Sequence, residues 1–424
     1  MPSQPNQTDL LWLLGDEAAT RLAELAESER PPSPATVARL RRSLPAERVH
    51  LLLEQSELRT RAREKFGPAA AGMYFTRKGL EQATDRRVAA WKAARFPADG
   101  ALADLCCGIG GDLFALARRA EPNAAERPVA GPVGVDCDPV LAATAEANLH
   151  ALGLPGEVLC RDVEQLDLGP GSLPGTESRI GDVAAWHIDP DRRADGRRTT
   201  RVEYHRPGPA TIERLLEQCP AGAVKLAPAA ALPPAWAERT ELEWIGHRRE
   251  CRQLVAWFGP LAHCPGQRRA TVLPHGPGDH AEPRTIVAQP NSLRGQIEVA
   301  REAKRYIYEP HAAVLAAGVE AALAAEHELD AVAAGVTYYT SDTAIDDAAI
   351  ARFEVREVVP LDEKRLRRRL AELDVGRLEI KVRGCRVEPA RLRARLKPRG
   401  SSQATLLIAP IDGGVRAIVA RRET

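Results

Sequence analysis

A chain of 424 residues is too long for one hydrophobic core, and the usual domain size of roughly 100–200 residues implies two or three. Apolar residues make up 44% and charged residues 28%, a balance that excludes a disordered or membrane-embedded chain. Lysine and arginine (59) nearly cancel aspartate and glutamate (58), so no global positive field announces a nucleic-acid partner. Any phosphate-binding surface must be assembled locally, from runs such as Arg192–Arg193, Arg197–Arg198, Arg248–Arg249 and Arg365–Arg369. Solvated faces balanced by carboxylates are the other reading of each run.

The chain begins MPSQPNQTDL, without the basic and apolar regions of a secretory signal, and a cytoplasmic location is expected. No run of about 18 apolar residues is present, since Gly318 and Glu320 interrupt even the alanine-rich Ala312–Ala325, so no membrane partner is expected. Eight cysteines without paired CxxC spacing suit reduced thiols, with Cys106 and Cys107 as packing residues and no metal required.

From Leu10 to Phe96 apolar residues recur at three- and four-residue spacing (Leu22, Leu25, Ala26; Val37, Leu40, Leu44; Leu51, Leu52, Gln55, Leu58), which predicts an N-terminal helical region, 1–96. Pro31 to Pro34 breaks it once, with Ser33 as N-cap and Pro34 at the first helical position.

Between Ala101 and Gly259 short apolar runs alternate with helical stretches, the pattern of a parallel sheet covered by helices, and 97–263 is expected to form one domain. Its strands are Ala101–Cys106, Pro132–Asp136, Glu157–Cys160, Val183–Ile188, Ala223–Leu226 and Leu242–His247; its helices include Leu113–Arg119, Pro139–Leu152 and Thr211–Cys219. A loop from Cys264 to Pro283 reads as a domain joint within a linker 264–290. A small α+β domain, 291–424, follows, with helices Gln296–Ala303, Ala312–Ala325 and Glu363–Leu373 and strands Val336–Tyr339, Ala351–Val359, Gly376–Val382 and Thr405–Ile411.

Chemistry concentrates at the strand ends of the expected sheet. ALADLCCGIGGD (101–112) is an apolar strand running into Gly108, Gly110 and Gly111, which would let the backbone approach a ligand closely. Asp136 closes the second strand (VGVDCDP), where a carboxylate can take both hydroxyls of a ribose; Asp138 is a second candidate or an N-cap before Pro139. Asp162, after the third strand, could accept from an adenine amino group. Dehydrogenases share this grammar, but GxGxxG is incomplete here, which disfavours NAD or FAD and favours a cofactor without a pyrophosphate. The fourth strand ends HIDPDRRADGRR (187–198), placing Asp189 and Pro190 at the carboxyl edge of the sheet. Arg192, Arg193, Arg197 and Arg198 could bind phosphate there, or pair with Asp195 or Glu203 and stiffen the loop. Lys225, in AVKLAP at the end of the next strand, could point into the site or be solvated, as a strand-edge lysine usually is, and takes no assigned role; Trp244 and Trp257 read as core.

At these residues the chain resembles class I S-adenosylmethionine-dependent methyltransferases, and more narrowly those in which that domain precedes a THUMP-like, ferredoxin-like domain. The resemblance is carried by YFTRKGLEQATDRRVAAWKAARF (Tyr74–Phe96), DLCCGIGGD, GVDCDP, DPDRR, VKLAP, YIYEPHAAVL and EIKVRGCRV. It implies an α/β Rossmann-like sheet, S-adenosylmethionine as cofactor, and contacts from Asp104, Gly108 and Gly110 to its methionine part, Asp136 to its ribose and Asp162 to its adenine. Asp189 and Pro190 would face the substrate and the sulfonium, with Asp189 orienting or deprotonating the attacking group. DPDR departs from the DPPY or NPPY of many amino-methylating enzymes, which puts aromatic base stacking and the atom methylated in doubt. THUMP domains bind RNA, so by analogy the C-terminal domain would present RNA, with Arg383, Lys397 and Arg399 as phosphate contacts beside a reading of ordinary surface charge. The expected function is methylation of RNA; a protein or small-molecule methyltransferase, or an inactive RNA-binding protein of the same fold, are the alternatives.

Overall fold

In the computed structural model, residues 7–27, 32–119, 131–168, 183–194, 197–275, 282–293 and 295–423 are described; of 193–194 and 197–198 only the backbone is considered. Two compact units divide the chain. The first holds Met1–Leu226, Ala230–Arg239 and Ala256–His263, and the second Ala227–Ala229, Thr240–Val255 and Cys264–Thr424.

The first unit opens with helices α1 (Gln7–Leu13), α2 (Asp16–Glu27), α3 (Pro34–Ser43), α4 (Ala46–Phe66), α5 (Arg77–Gln82) and α6 (Arg86–Ala93). Ser33 caps α3 by accepting from Thr36 N at 3.2 Å, with Pro34 at the first turn as its fixed φ favours. Leu22, Leu25, Leu40, Leu44 and Leu52 bury into one cluster with Tyr74, while Val37 is half-buried and Ala26 exposed. Each such leucine contributes roughly 1.5–3 kcal/mol by leaving water. Further along α4, Leu58, Ala62 and Phe66 pack with Ile109, Leu113 and Phe114, so the helical region covers the glycine-rich turn.

That turn belongs to an alternating β/α stretch: β1 (Ala101–Leu105), α7 (Leu113–Arg119), β2 (Val133–Asp136), α8 (Pro139–Ala151), β3 (Glu157–Cys160), β4 (Val183–Ile188), β5 (Arg193–Ala194), β6 (Arg197–Arg198), α9 (Pro209–Gln218) and β7 (Gly222–Leu226). The strands β3-β2-β1-β4-β7 form a parallel sheet in that order. The chain runs outward from β1 to β3, then returns to place β4 on the other flank of β1. The reversal leaves a crevice at the carboxyl ends of β1 and β4, where Rossmann-like sheets bind their ligands.

The second unit takes β8 (Glu241–His247) and most of β9 (Glu250–Trp257), then β10 (Arg268–Leu273) and β11 (Arg284–Ala288). β10 runs parallel to β8 and antiparallel to β11. There follow β12 (Tyr306–Pro310), α10 (Ala312–Ala317), α11 (Glu320–Glu326), β13 (Asp330–Ala331), β14 (Tyr339–Ser341), β15 (Ile350–Pro360), α12 (Glu363–Glu372), β16 (Val375–Val382), α13 (Pro389–Leu396), β17 (Ser402–Ile411) and β18 (Gly414–Arg422). Seven of these strands form one sheet, ordered β13-β14-β12-β15-β18-β17-β16. Leu366, Leu370, Leu392 and Leu396 of α12 and α13 bury against Leu378, Leu406 and Ile408 on one face of it.

Several expected elements change. Gln296–Ala303 is not a helix: Ala300 N donates to Ala331 O and Ala331 N to Glu298 O, so long-range backbone pairing overrides helical propensity. The expected helix Ala312–Ala325 is two, divided where Gly318 turns left-handed at φ 69°. The strand expected at Val336–Tyr339 starts only at Tyr339. The loop expected over Cys264–Pro283 contains β10, while residues 276–281 of it lie outside the described ones. Trp257 is fully buried and Trp244 nearly so, as core readings require. Among the described residues no helix is long and apolar enough to cross a membrane.

Candidate active site

The turn after β1 is built by backbone geometry. Cys106, Gly108 and Gly110 all have positive φ (56°, 58° and 97°), a region open to glycine and strained for other residues. A Cβ on Gly110 would fall 2.3 Å from the Phe114 ring, so only glycine fits. A Cβ on Gly108 would meet nothing within 4 Å, which leaves space for a ligand against the backbone. Burial pushes both thiols, Cys106 and Cys107, well above the ordinary cysteine range, as suits inert packing residues.

Asp136 holds the turn from β2. Its Oδ2 accepts from Gly108 N at 2.8 Å and its Oδ1 from Asp138 N at 3.0 Å. Burial pushes its carboxyl upward, opposed by those two N–H groups. Asp138 is the N-cap of α8, its Oδ1 accepting from Val140 N and Leu141 N. Asp162 is exposed and accepts from Glu164 N at 2.9 Å, capping a short 3-10 turn beyond β3.

Beneath the turn lies a buried polar network that sequence reasoning missed. Asp104 and His187 are register partners on β1 and β4, and His187 Nδ1 donates to Asp104 Oδ1 at 2.7 Å. Lys92 Nζ of α6 lies 3.0 Å from His187 Nε2, on the other side of the imidazole. Lys92 Nζ also lies 2.7 Å from Asp112 Oδ1, and Thr84 Oγ1 donates to Asp112 Oδ2 at 2.6 Å. Lys92, Asp104 and His187 are at most 2% exposed. Burial pushes the Lys92 amine down, against the attraction of Asp112. Burial also acts to raise Asp112, but Lys92, His187 and Lys225 outweigh it and hold the carboxyl well below the usual range. Asp104 is pushed up by burial, with the His187 hydrogen bond opposing, and its Oδ2 has no hydrogen-bond partner among the described residues. Such an orphaned acceptor suits a ligand carrying an amine.

At the end of β4, Asp189 is half-buried and Pro190 buried. Lys225, left without a role by the sequence, is 6% exposed at the end of β7, with Nζ donating to Asp189 Oδ2 at 2.5 Å. Burial acts to lower its amine, and Asp189 and Asp112 more than reverse this, so it is held above the ordinary lysine value. Asp191 is exposed, 3.8 Å from Lys78 Nζ, and exchanges backbone hydrogen bonds with Arg206. Arg192 is half-buried. The backbones of Arg193 and Arg198 face each other in the β5–β6 ladder, whereas the side chains of Arg193, Arg197 and Arg198, and all of Asp195, lie outside the described residues. No short-range pattern would have revealed Lys92, Asp112, His187 or Lys225 together, because they come from four separate elements.

Residues 350–422 match the family described as THUMP domain-like, and residues 6–62 match a domain of unknown function. An S-adenosylmethionine-dependent methyltransferase of Mycobacterium tuberculosis, itself uncharacterized, is 32% identical over 379 residues; the match covers 87% of this chain and 94% of that protein, in strains CDC 1551 / Oshkosh and ATCC 25618 / H37Rv alike. A crystal structure from Porphyromonas gingivalis W83, of a protein assigned as a methyltransferase, superposes over the whole of both chains with a TM-score of 0.74 at 20% identity, a likeness of fold.

Proposed function

Because the chain belongs to the S-adenosylmethionine-dependent methyltransferases, with a THUMP-like domain at its C-terminal end, we propose that it methylates RNA in the crevice at the ends of β1 and β4. The observation that carries the site is the conjunction of an open Gly108 backbone, an unpartnered Asp104 oxygen and Asp136 on one sheet edge. Asp104, Gly108 and Gly110 would receive the methionine part of the cofactor, Asp136 the ribose and Asp162 the adenine. On the same reading 97–263 is the methyltransferase domain, preceded by the helical region 1–96 and followed by a linker, 264–290, and the THUMP-like domain, 291–424.

Bound S-adenosylmethionine supplies an electrophilic methyl group on a sulfonium. Everything else asked of the protein is positioning. Lys225 anchors one oxygen of Asp189, leaving Oδ1 to accept a hydrogen bond from the attacking group and align its lone pair. Pro190 stiffens the backbone behind it, and Arg192, with Arg193, Arg197 and Arg198, would attract substrate phosphates. The THUMP-like match supports RNA as substrate; a cytoplasmic RNA-modifying role belongs to the same reading. The net charge of +1 favours the second reading, a protein or small-molecule substrate.

Calorimetric titration of S-adenosylmethionine into the protein and into Asp136→Ala, followed by transfer of labelled methyl to total RNA, tests this. Micromolar binding lost in the variant, with label in RNA that falls steeply with salt, is the expected result. Binding without RNA labelling would move the substrate to protein or metabolite; no binding at millimolar cofactor would leave an inactive RNA-binding protein.

A further inference from the structure

A cavity of about 330 Å³ is lined wholly by residues of the second unit. Six cations line it: Arg248 and Arg249 on the β8–β9 turn, Arg352 on β15, Lys381 on β16, Arg383 just after it, and Arg422 at the end of β18. Four carboxylates also line it, Glu309, Asp346, Asp347 and Glu423, so cations are in excess.

The carboxylates are largely committed. Glu309 takes Lys381 at 2.7 Å and Arg383 at 3.2 Å, and Glu423 takes Arg352 at 3.2 Å. Asp347 is satisfied by Arg284 (2.9 Å) and His327 (2.8 Å), neither of which lines the cavity, and by Ala349 N. Arg422 is not so well matched. Its Nη1 is buried with no hydrogen-bond partner among the described residues, and Glu379 approaches it only to 3.6 Å. Burial and the repulsion of Arg249 both depress its guanidinium, and the attraction of Glu379 and Glu309 does not make up the difference. Holding like charges together in a partly desolvated cavity is unfavourable unless a ligand neutralises them.

We propose that this cavity binds a phosphomonoester of nucleotide size, its phosphate received by Arg249, Arg422 and Arg383. Guanidinium forks match the tetrahedral oxygens of a phosphate, and the volume exceeds that of a bare anion. No Phe, Tyr or Trp lines it, so it reads charge and not base faces. The phosphate can come from a free nucleotide or from the phosphorylated end of an RNA; the latter would deepen the RNA reading above, but the site does not depend on it.

Uridine and uridine 5′-monophosphate, which lack the adenine of the cofactor, are titrated into the full chain alongside uridine tetranucleotides with and without a 5′-phosphate. The monophosphate is expected to bind at least tenfold tighter than uridine, and Arg249→Ala, on an exposed turn, to weaken it at least fivefold with S-adenosylmethionine affinity unchanged. Arg383→Gln provides a second variant should the first fail to fold. A phosphorylated tetranucleotide binding more tightly than the monophosphate identifies an RNA end; equal affinities identify a free nucleotide. Equal binding of uridine and its monophosphate, or variants that bind like the wild type, overturns the proposal.

Discussion

Lys225 Nζ and Asp189 Oδ2 lie 2.5 Å apart at the ends of neighbouring strands, the lysine almost wholly buried and the carboxylate half-exposed. Removing one partner of such a pair leaves an uncompensated charge, which typically costs about 3–5 kcal/mol when both are buried and less here because Asp189 keeps some water. Lys225→Met should therefore lower stability by about 1–3 kcal/mol in urea unfolding. It should also lower kcat more than KM once a substrate is known, because Asp189 would lose its anchor and not its charge.

The same pair sets an alkaline limit. A lysine held above its ordinary value contributes stability that is fully present below that value and is lost as pH rises through the higher folded one. The stability gap between wild type and Lys225→Met should stay constant to about pH 10 and close above it, read as urea midpoints from pH 7 to 11.5. A gap that closes on acidification instead would remove the ion pair as its cause.

Lys92 and Asp112 form a second buried pair, 2.7 Å apart, joining α6 to the glycine-rich turn. Lys92→Met alone should destabilise by about 3–5 kcal/mol, because Asp112 would stay buried without its cation. Adding Asp112→Asn should recover a large part of that loss, measured as a double-mutant cycle. Additive losses would mean that the two groups are not coupled.

Gly108 and Gly110 should respond differently to alanine. Gly108→Ala meets no steric neighbour and carries only the left-handed backbone penalty, roughly 1–2 kcal/mol, yet its methyl would occupy the open face of the turn. Its S-adenosylmethionine affinity should fall at least tenfold while the fold survives. Gly110→Ala, which collides with Phe114, should lose more in thermal stability than Gly108→Ala.

Asp136 should make cofactor affinity fall on the acid side. Its carboxyl is raised by burial, so its ionised form costs stability above the folded pKa, and that cost is relieved as pH falls. Binding runs the other way, since only the carboxylate accepts from two ribose hydroxyls. Calorimetry from pH 8 to 4.5 should show weaker cofactor binding at acid pH, beginning above the ordinary aspartate range, without a parallel loss of stability from this group.

Local chemistry makes much of this molecule legible in its sequence. The alternation of apolar runs and helices located β1, β2, β3, β4 and β7 to within a residue or two, because strand and helix periods are imposed by short-range backbone geometry. Ser33 and Pro34 announced α3 for the same reason, and the glycines and Asp136 announced the turn that they build. The motifs, taken together, pointed to the methyltransferase family. Where propensity met long-range pairing it failed, as at Gln296–Ala303, whose N–H and C=O groups pair with Ala331 some thirty residues away. Only the tertiary structure decided which charges are buried and with whom. Lys92, Asp112, His187 and Lys225 look like ordinary polar residues in sequence, and Arg249 and Arg422 are far apart along the chain. A charge buried beside another changes its energy through desolvation and proximity, and both depend on distances that chain topology, not sequence separation, sets.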